Sequence, residues 1–111
     1  MTTPITFGNK PLKATMYLSQ DADFIHDIEP KSDAFPAGME AWFDILSVSG
    51  TVLATWPGVV TSNKITWNVQ FDAADGVNSV AGASRFRLYM RLDEDPTQEY
   101  LWYSGSIKWE Q

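Results

Sequence analysis

Two segments of the chain alternate between apolar and polar residues, and this period of two constrains the fold more than any other feature. Residues 65–71 and 86–92 each place a large apolar side chain at every second position. Successive side chains of a strand point to opposite faces, so each segment predicts a strand with one buried and one solvated face. The chain is therefore expected to be all-β.

Weaker forms of the same alternation, separated by turn residues, predict further strands. The predicted strands are 12–18, 24–28, 39–48, 51–56, 59–60, 64–71, 85–92 and 100–109. Short strands with frequent turns are typical of a sandwich. We predict a single-domain antiparallel β-sandwich of the Ig-like type over residues 12–111, with about seven or eight strands. Residues 1–11 contain Pro4, Gly8 and Pro11 and are predicted to form an irregular N-terminal arm.

The connections carry three further predictions. Ser49 and Gly50 separate two strands and predict a hairpin. Residues 72–77 predict one short helical turn, capped by Asp72 and ended by Gly76, that crosses between the sheets. The last strand is expected to be broken or bulged at Gly105.

Charge and composition exclude several function classes. The net charge of −6 repels phosphate backbones, so nucleic acid is not expected as a partner. The chain has no cysteine, which excludes disulfides, thiolate metal sites and thiol nucleophiles. No segment approaches the ~20 apolar residues of a membrane span, and no export signal is visible, so we expect neither a membrane partner nor Sec-type export.

Catalytic and metal-binding patterns are also missing. His26 is the only histidine, no Gly-x-Ser-x-Gly elbow accompanies it, and one histidine without cysteine cannot complete a zinc site. The acidic clusters at 21–23 and 93–95 favour solvated turns over a calcium loop or a glycosidase pair. There is no glycine-rich nucleotide motif. We expect no enzyme activity and no cofactor.

Two charged stretches each allow two interpretations. Residues 21–44 hold seven acidic side chains against Lys31, which favours a solvated acidic edge over a cation or partner patch. Arg85, Arg87 and Arg91 share one face of a strand with Tyr89. A solvent-facing strand is favoured there over a binding ridge.

The five tryptophans are the strongest functional indication in the composition. Trp67 and Trp109 follow the apolar phase of their strands and are predicted to be core residues. Trp42, Trp56 and Trp102 are interface candidates, although burial is the favoured interpretation of each. An exposed aromatic platform stacks on sugar rings or anchors a protein interface. The predicted strand 85–92 adds two more interface candidates, Arg87 and Tyr89.

A set of short motifs resembles a known family. The motifs are Asp21-Ala22-Asp23-Phe24, Phe35-Pro36-Ala37-Gly38 before an alternating strand, Trp56-Pro57-Gly58, Arg87-Leu88-Tyr89 and a closing Leu101 to Lys108 strand with Gly105. In this order they resemble the LtfC-like β-sandwich domain of virion proteins in tailed phages that infect actinobacteria. The resemblance covers roughly residues 10–109. The family offers no catalytic residues to transfer to this chain.

This resemblance implies a non-enzymatic structural or accessory virion protein, assembled in the host bacterial cytoplasm. Its partners would be other tail or capsid subunits, contacted in many symmetric copies, with the arm 1–11 as one docking element. Minor tail, tail-fibre and capsid placements all stay open. The alternative from another class is a carbohydrate-binding sandwich that recognises host cell-wall glycan through exposed tryptophans.

Overall fold

The computed structural model describes residues 11–30, 34–92 and 98–110, which form two sheets packed face to face. Within these ranges the strands are β1 (Leu12–Ser19), β2 (Phe24–Ile28), β3 (Glu40–Ser47), β4 (Val52–Pro57), β5 (Val59–Val60), β6 (Ile65–Val69), β7 (Ala83–Leu92) and β8 (Gln98–Glu110). The predicted all-β sandwich is confirmed. Residues 1–10 of the predicted arm lie outside the described residues.

The strand order is that of an Ig-like sandwich. One sheet has the order β1-β8-β7-β3-β4, and the other has the order β2-β6-β5. Immunoglobulin domains place strands B, E and D in one sheet and G, F, C and C′ in the other. Assigning β2 to β8 to B, C, C′, D, E, F and G in turn reproduces both orders. The Ig-like prediction is therefore confirmed at the level of topology.

One strand pair differs from the predicted antiparallel arrangement. β1 pairs with β8 in parallel, with Ala14 opposite Gly105. A Cβ atom at Gly105 would lie 1.6 Å from the carbonyl oxygen of Ala14. Gly105 is thus required for the close approach of β1, whereas the expected bulge lies elsewhere in β8. The register between β7 and β8 shifts after Leu88, which pairs with Tyr103, because Tyr89 pairs with Leu101. Trp102 is therefore the extra residue of the bulge.

An aromatic cluster fills the centre of the sandwich. The Phe43 ring lies 4.7 Å from the Trp67 ring and 5.8 Å from those of Phe24 and Phe86. Antibody domains hold this position with a disulfide between strands B and F, packed against a tryptophan. This chain has no cysteine, and contacts between large aromatic side chains join the two sheets instead.

Indole N–H groups tie the core to the backbone around it. Trp67 Nε1 donates to the carbonyl of Trp56 at 2.9 Å, and Trp56 Nε1 donates to the carbonyl of Asp75 at 2.6 Å. Trp109 Nε1 donates to the carbonyl of Ala83 at 3.0 Å. Trp67 is a core residue as predicted, and Trp109 is partly buried against the core.

The loop before β3 packs against the core. Residues 36–39 form a turn in which the Met39 N–H donates to the Pro36 carbonyl and Gly38 has φ of 78°. Phe35 packs against the core from the same loop.

The helical turn lies later than expected. A 3-10 helix spans Val77–Val80 and connects β6 of the smaller sheet to β7 of the larger one. Its position confirms the predicted crossover between sheets. Gly76 precedes the helix instead of ending it, because Val77 and Val80 are fully buried and anchor this segment to the core. No helix in the described part of the chain is long and apolar enough to cross a membrane.

Candidate functional site

The outer face of the five-stranded sheet carries three of the five predicted interface residues. Trp42 lies on β3 directly opposite Tyr89 on β7, and Asp44 lies opposite Arg87. Their neighbours Phe43 and Leu88 point inward and are buried in the core. Because a strand alternates, burial of one set of side chains holds the other set on the opposite face.

Trp42 and Tyr89 stack on this face. Their ring centroids are 5.6 Å apart and the ring planes differ by 18°. The guanidinium carbon of Arg91 lies 5.5 Å from the centroid of the Trp42 ring, within the range of a cation–π contact. We call these three residues the Trp42 cluster.

Two carboxylates hold Arg91 in place. Arg91 Nη1 lies 3.0 Å from Glu40 Oε2, and Arg91 Nη2 lies 2.8 Å from Glu99 Oε1. Glu40 and Glu99 are the register partners of Arg91 on β3 and β8, so three strands contribute to one ion-pair network. All three side chains are about half exposed, which keeps the network open to solvent. The network orients the Arg91 guanidinium beside the indole ring.

A shallow depression borders the Trp42 cluster on the β4 side. Its volume is about 510 Å³, and its wall includes Trp42 and Arg91 together with Glu40, Thr55 and Pro57. Pro57 is the register partner of Trp42 on β4. The depression thus combines an aromatic wall with a carboxylate, a guanidinium and a hydroxyl group.

The other half of the same face carries four exposed basic side chains, with Asp44 opposite one of them, Arg87. Arg87, Ser104 and Lys13 lie in register across β7, β8 and β1. Arg85 occupies the next outward position of β7 and Lys108 lies further along β8, both exposed. Short side chains separate the cations. One of them is Ser104, which accepts a hydrogen bond from Lys13 Nζ at 3.3 Å. We call Lys13, Arg85, Arg87 and Lys108 the basic patch.

Two predicted interface residues lie elsewhere. Trp56 is 3% exposed and belongs to the core, because its inward position on β4 faces Phe24, whose ring is 5.5 Å away. Trp102 sits at the β8 bulge and packs against the core beside Tyr103. Neither joins the Trp42 cluster.

Arg91 and Glu40 join the site although neither was an interface candidate from sequence. The spacing of Arg91 from Tyr89 was visible as a shared strand face. The register that brings Glu40 of β3 and Glu99 of β8 to the same guanidinium was not visible, because it depends on strand pairing.

His26 packs beside aromatic rings, and Asp23 of the acidic turn bonds to the backbone. His26 is exposed on β2, with its ring 6.1 Å from Phe24 and 6.5 Å from Trp67. Asp23 has a structural role, since its Oδ1 accepts the backbone N–H of Phe71 at 2.9 Å. Within the described ranges, no three histidine or acidic side chains converge as metal ligands.

The comparisons with known proteins assign the fold family. No curated protein matches the chain. The family model for the LtfC-like β-sandwich domain matches residues 10–110, which is nearly the whole chain and agrees with the stretch that carries the sequence motifs. The protein is therefore a member of the LtfC-like β-sandwich domain family.

Proposed function

We propose that the protein is a non-enzymatic structural or accessory component of a tailed phage virion. It docks on tail or capsid subunits through the outer face of its five-stranded sheet. The observation that carries this proposal is the Trp42 cluster, a stacked aromatic pair with a fixed arginine held outside the core. Membership in the LtfC-like family supports the setting, because it indicates a phage-related structural module.

The composition of the cluster suits an interface. Tryptophan, tyrosine and arginine are the residues most enriched among those that dominate protein–protein binding energies. The stack and the ion pairs already restrict Trp42 and Arg91, so docking orders fewer side-chain rotamers. Both side chains extend from strands of a packed sheet, which holds their spacing in register. A partner with an apolar surface over the rings and hydrogen-bond acceptors near Arg91 fits this arrangement.

The proposal is tested by incorporation of variants into particles. Trp42→Ala and Tyr89→Ala chains are supplied to phage that lacks the native chain, and the protein is quantified in purified particles. We expect at least about a tenfold loss of incorporation, the size expected for removing one anchor residue. Val48→Ala is the matched control, since Val48 is 79% exposed in the β3–β4 loop and lies outside the cluster. Equal incorporation of all three variants would reject the outer face as the docking surface.

Copy number per particle separates the two placements within this proposal. Capsid decoration requires hundreds of copies, whereas a tail tip or connector requires about a dozen or fewer. Quantitative mass spectrometry of purified particles provides the ratio of this chain to a capsid subunit.

One observation favours a second function, recognition of host cell-wall glycan. The depression beside Trp42 pairs an aromatic wall with Glu40, Thr55 and Arg91, and polar groups around an aromatic ring suit a sugar. Glycan-array binding by the purified chain that disappears with Trp42→Ala would support this function. Trp102→Ala serves as a comparison, since Trp102 packs against the core beyond the depression.

A further inference from the structure

One edge of the smaller sheet lacks a strand that immunoglobulin domains of the constant type possess. Those domains order one sheet A, B, E and D. The smaller sheet here has the order β2-β6-β5, which corresponds to B, E and D, and β1 pairs with β8 of the other sheet. No described strand pairs with the free edge of β2. Every second residue of β2 bonds to β6 through its backbone, and the residues between them direct their N–H and C=O groups to the free edge.

A depression lies beside that edge, between β2 and β1. Its volume is about 510 Å³, and its lining includes Phe43, Phe86 and Leu88 of the larger sheet. These three are core residues, so the depression opens into the interior of the sandwich. We call it the edge depression. Because β1 is also the last strand of its sheet, the edge depression is a gap between two free strand edges.

Inward positions on both sides of the gap are exposed. On β1, Met16 is 5% exposed, whereas Leu12 is 54% exposed and Ala14 is also exposed, although the three share one phase. On β2, His26 shares the inward phase of Phe24 and is nevertheless exposed. The inner face of the sandwich therefore extends beyond the strands that cover it, and one more strand beside β2 would cover it there.

The charges around β2 indicate the chemistry of such a strand. Residues 20–30 hold Asp21, Asp23, Asp27 and Glu29 and no lysine or arginine. All four carboxylates are exposed, and none forms an ion pair among the residues that the structure describes. Pairing with β2 of a second copy would bring like charges together, which destabilises a strand pair. A strand whose apolar residues are flanked by lysine or arginine is complementary instead.

We propose that β2 accepts an extended strand from another protein of the particle, as an added strand of the smaller sheet. Main-chain hydrogen bonds to the free edge of β2 supply the affinity, as in other cases of strand addition. Alternate apolar side chains of the added strand enter the edge depression, and its basic ends lie beside the carboxylates of residues 21–29. The inference deepens the proposed function by naming a second contact, and it rests on that function only for the setting in a particle.

Synthetic peptides test the site on the purified full chain. The first probe alternates valine and threonine and has two lysines at each end. The second probe has glutamates in place of the lysines, and the third is the lysine peptide with proline in place of its central threonine. Binding is followed up to about 2 mM, a range suited to weak contacts, through the backbone amide signals of the isotope-labelled chain.

We expect the lysine peptide to shift the amide signals of β2 and of the residues that line the edge depression. It should bind at least about threefold more tightly than the glutamate peptide, because it forms ion pairs at exposed carboxylates. The proline peptide should bind at least about threefold more weakly than its parent, since it loses a ladder hydrogen bond.

A charge-reversed chain is the matched variant. Asp27→Lys with Glu29→Lys changes two exposed positions and should bind the glutamate peptide more tightly than the lysine peptide. Circular dichroism verifies its fold. If this variant unfolds, Asp27→Asn with Glu29→Gln repeats the test, and the preference for the lysine peptide should then decrease.

Three results with the peptides would overturn the proposal. They are the absence of shifts at β2, equal affinity for the lysine and glutamate peptides, and equal affinity for the lysine and proline peptides. Hydrogen exchange of the chain alone tests for another occupant. Alternate amides of β2 should exchange fast, and protection of all of them would also overturn the proposal. Protection that rises with concentration would identify a second copy, and constant protection would identify another part of the same chain.

Hydrogen exchange in purified particles separates this inference from the proposed function. Exchange of residues 24–28 should be slower in native particles than in the purified chain, and unchanged exchange would overturn the inference. Trp42→Ala changes the outer face of the other sheet, so this variant should bind the lysine peptide as the native chain does. Normal incorporation of Trp42→Ala, with slowed exchange of β2 in native particles, would reject the proposed docking face and leave the added strand standing.

Discussion

Two aromatic groups lie on opposite sides of the same strand, and they have different environments. Phe43 and Trp67 are buried within 4.7 Å of each other, and the indole N–H of Trp67 is bonded to a backbone carbonyl. Trp42, the residue before Phe43, stacks on Tyr89 on the outer face and lies beside the Arg91 guanidinium. The inner group belongs to the core, whereas the outer group is partly buried and lies outside the core. Composition alone did not distinguish the two.

Removal of the inner aromatic ring should have the largest effect. We expect Trp67→Ala to lower the free energy of unfolding by about 3–5 kcal/mol, because it leaves a cavity between the sheets and removes the hydrogen bond from the indole N–H to the Trp56 carbonyl. Urea unfolding followed by circular dichroism measures this change. A loss below about 1 kcal/mol would show that the inner group does not hold the sheets together.

A substitution in the turn that leads into β3 tests whether the Phe35-Pro36-Ala37-Gly38 motif stabilises the fold. Gly38 has φ of 78°, a left-handed conformation that an L-residue adopts at a cost. Gly38→Ala should reduce stability by about 1–2 kcal/mol, and Ala37→Gly is the neighbouring control with a smaller expected effect. Thermal unfolding compares the two. A neutral Gly38→Ala would mean that the turn relaxes without strain.

Removal of the outer ring should cost little stability. Trp42→Ala loses one aromatic stack and a partly exposed surface, so we expect a decrease of about 0.5–1.5 kcal/mol in the free energy of unfolding. The same urea titration used for Trp67→Ala provides the comparison. A loss as large as that of Trp67→Ala would place Trp42 among the residues that hold the fold, and the division between the two groups would fail.

The smallest effect is expected at the ion pairs beside Trp42. Arg91 and its two glutamates are about half exposed, so Arg91→Gln should change stability by less than about 1 kcal/mol, and less still at high salt. Unfolding in low and high salt measures the difference. A large salt-independent loss would indicate that Arg91 packs against Trp42 chiefly through its apolar stem.

The alternating pattern predicted the fold well, because burial of one face leaves a local signal. The strands at 24–28 and 59–60 were bounded as observed, and the core position of Trp67 followed from its phase. The parallel pairing of β1 with β8 was missed, since alternation reports which face is buried and not which strand lies beside it. The role of Gly105 was missed for the same reason.

The candidate site was predictable only in part. Tyr89 and Arg87 were placed correctly on one outward face, because their spacing of two is local. Both Trp42 and Trp56 were interface candidates, but Trp56 is buried because it packs against Phe24 of the smaller sheet, a contact between strands distant in sequence. The Arg91 network requires the register of three strands, which no single segment encodes.

A reconstruction of the phage particle at side-chain resolution would show directly which surface of the protein docks. We expect the outer face of the five-stranded sheet, with Trp42 and Tyr89 at the contact, to be covered by another subunit in the assembled particle. A particle in which this face is open to solvent, while the chain is attached through other strands, would contradict it.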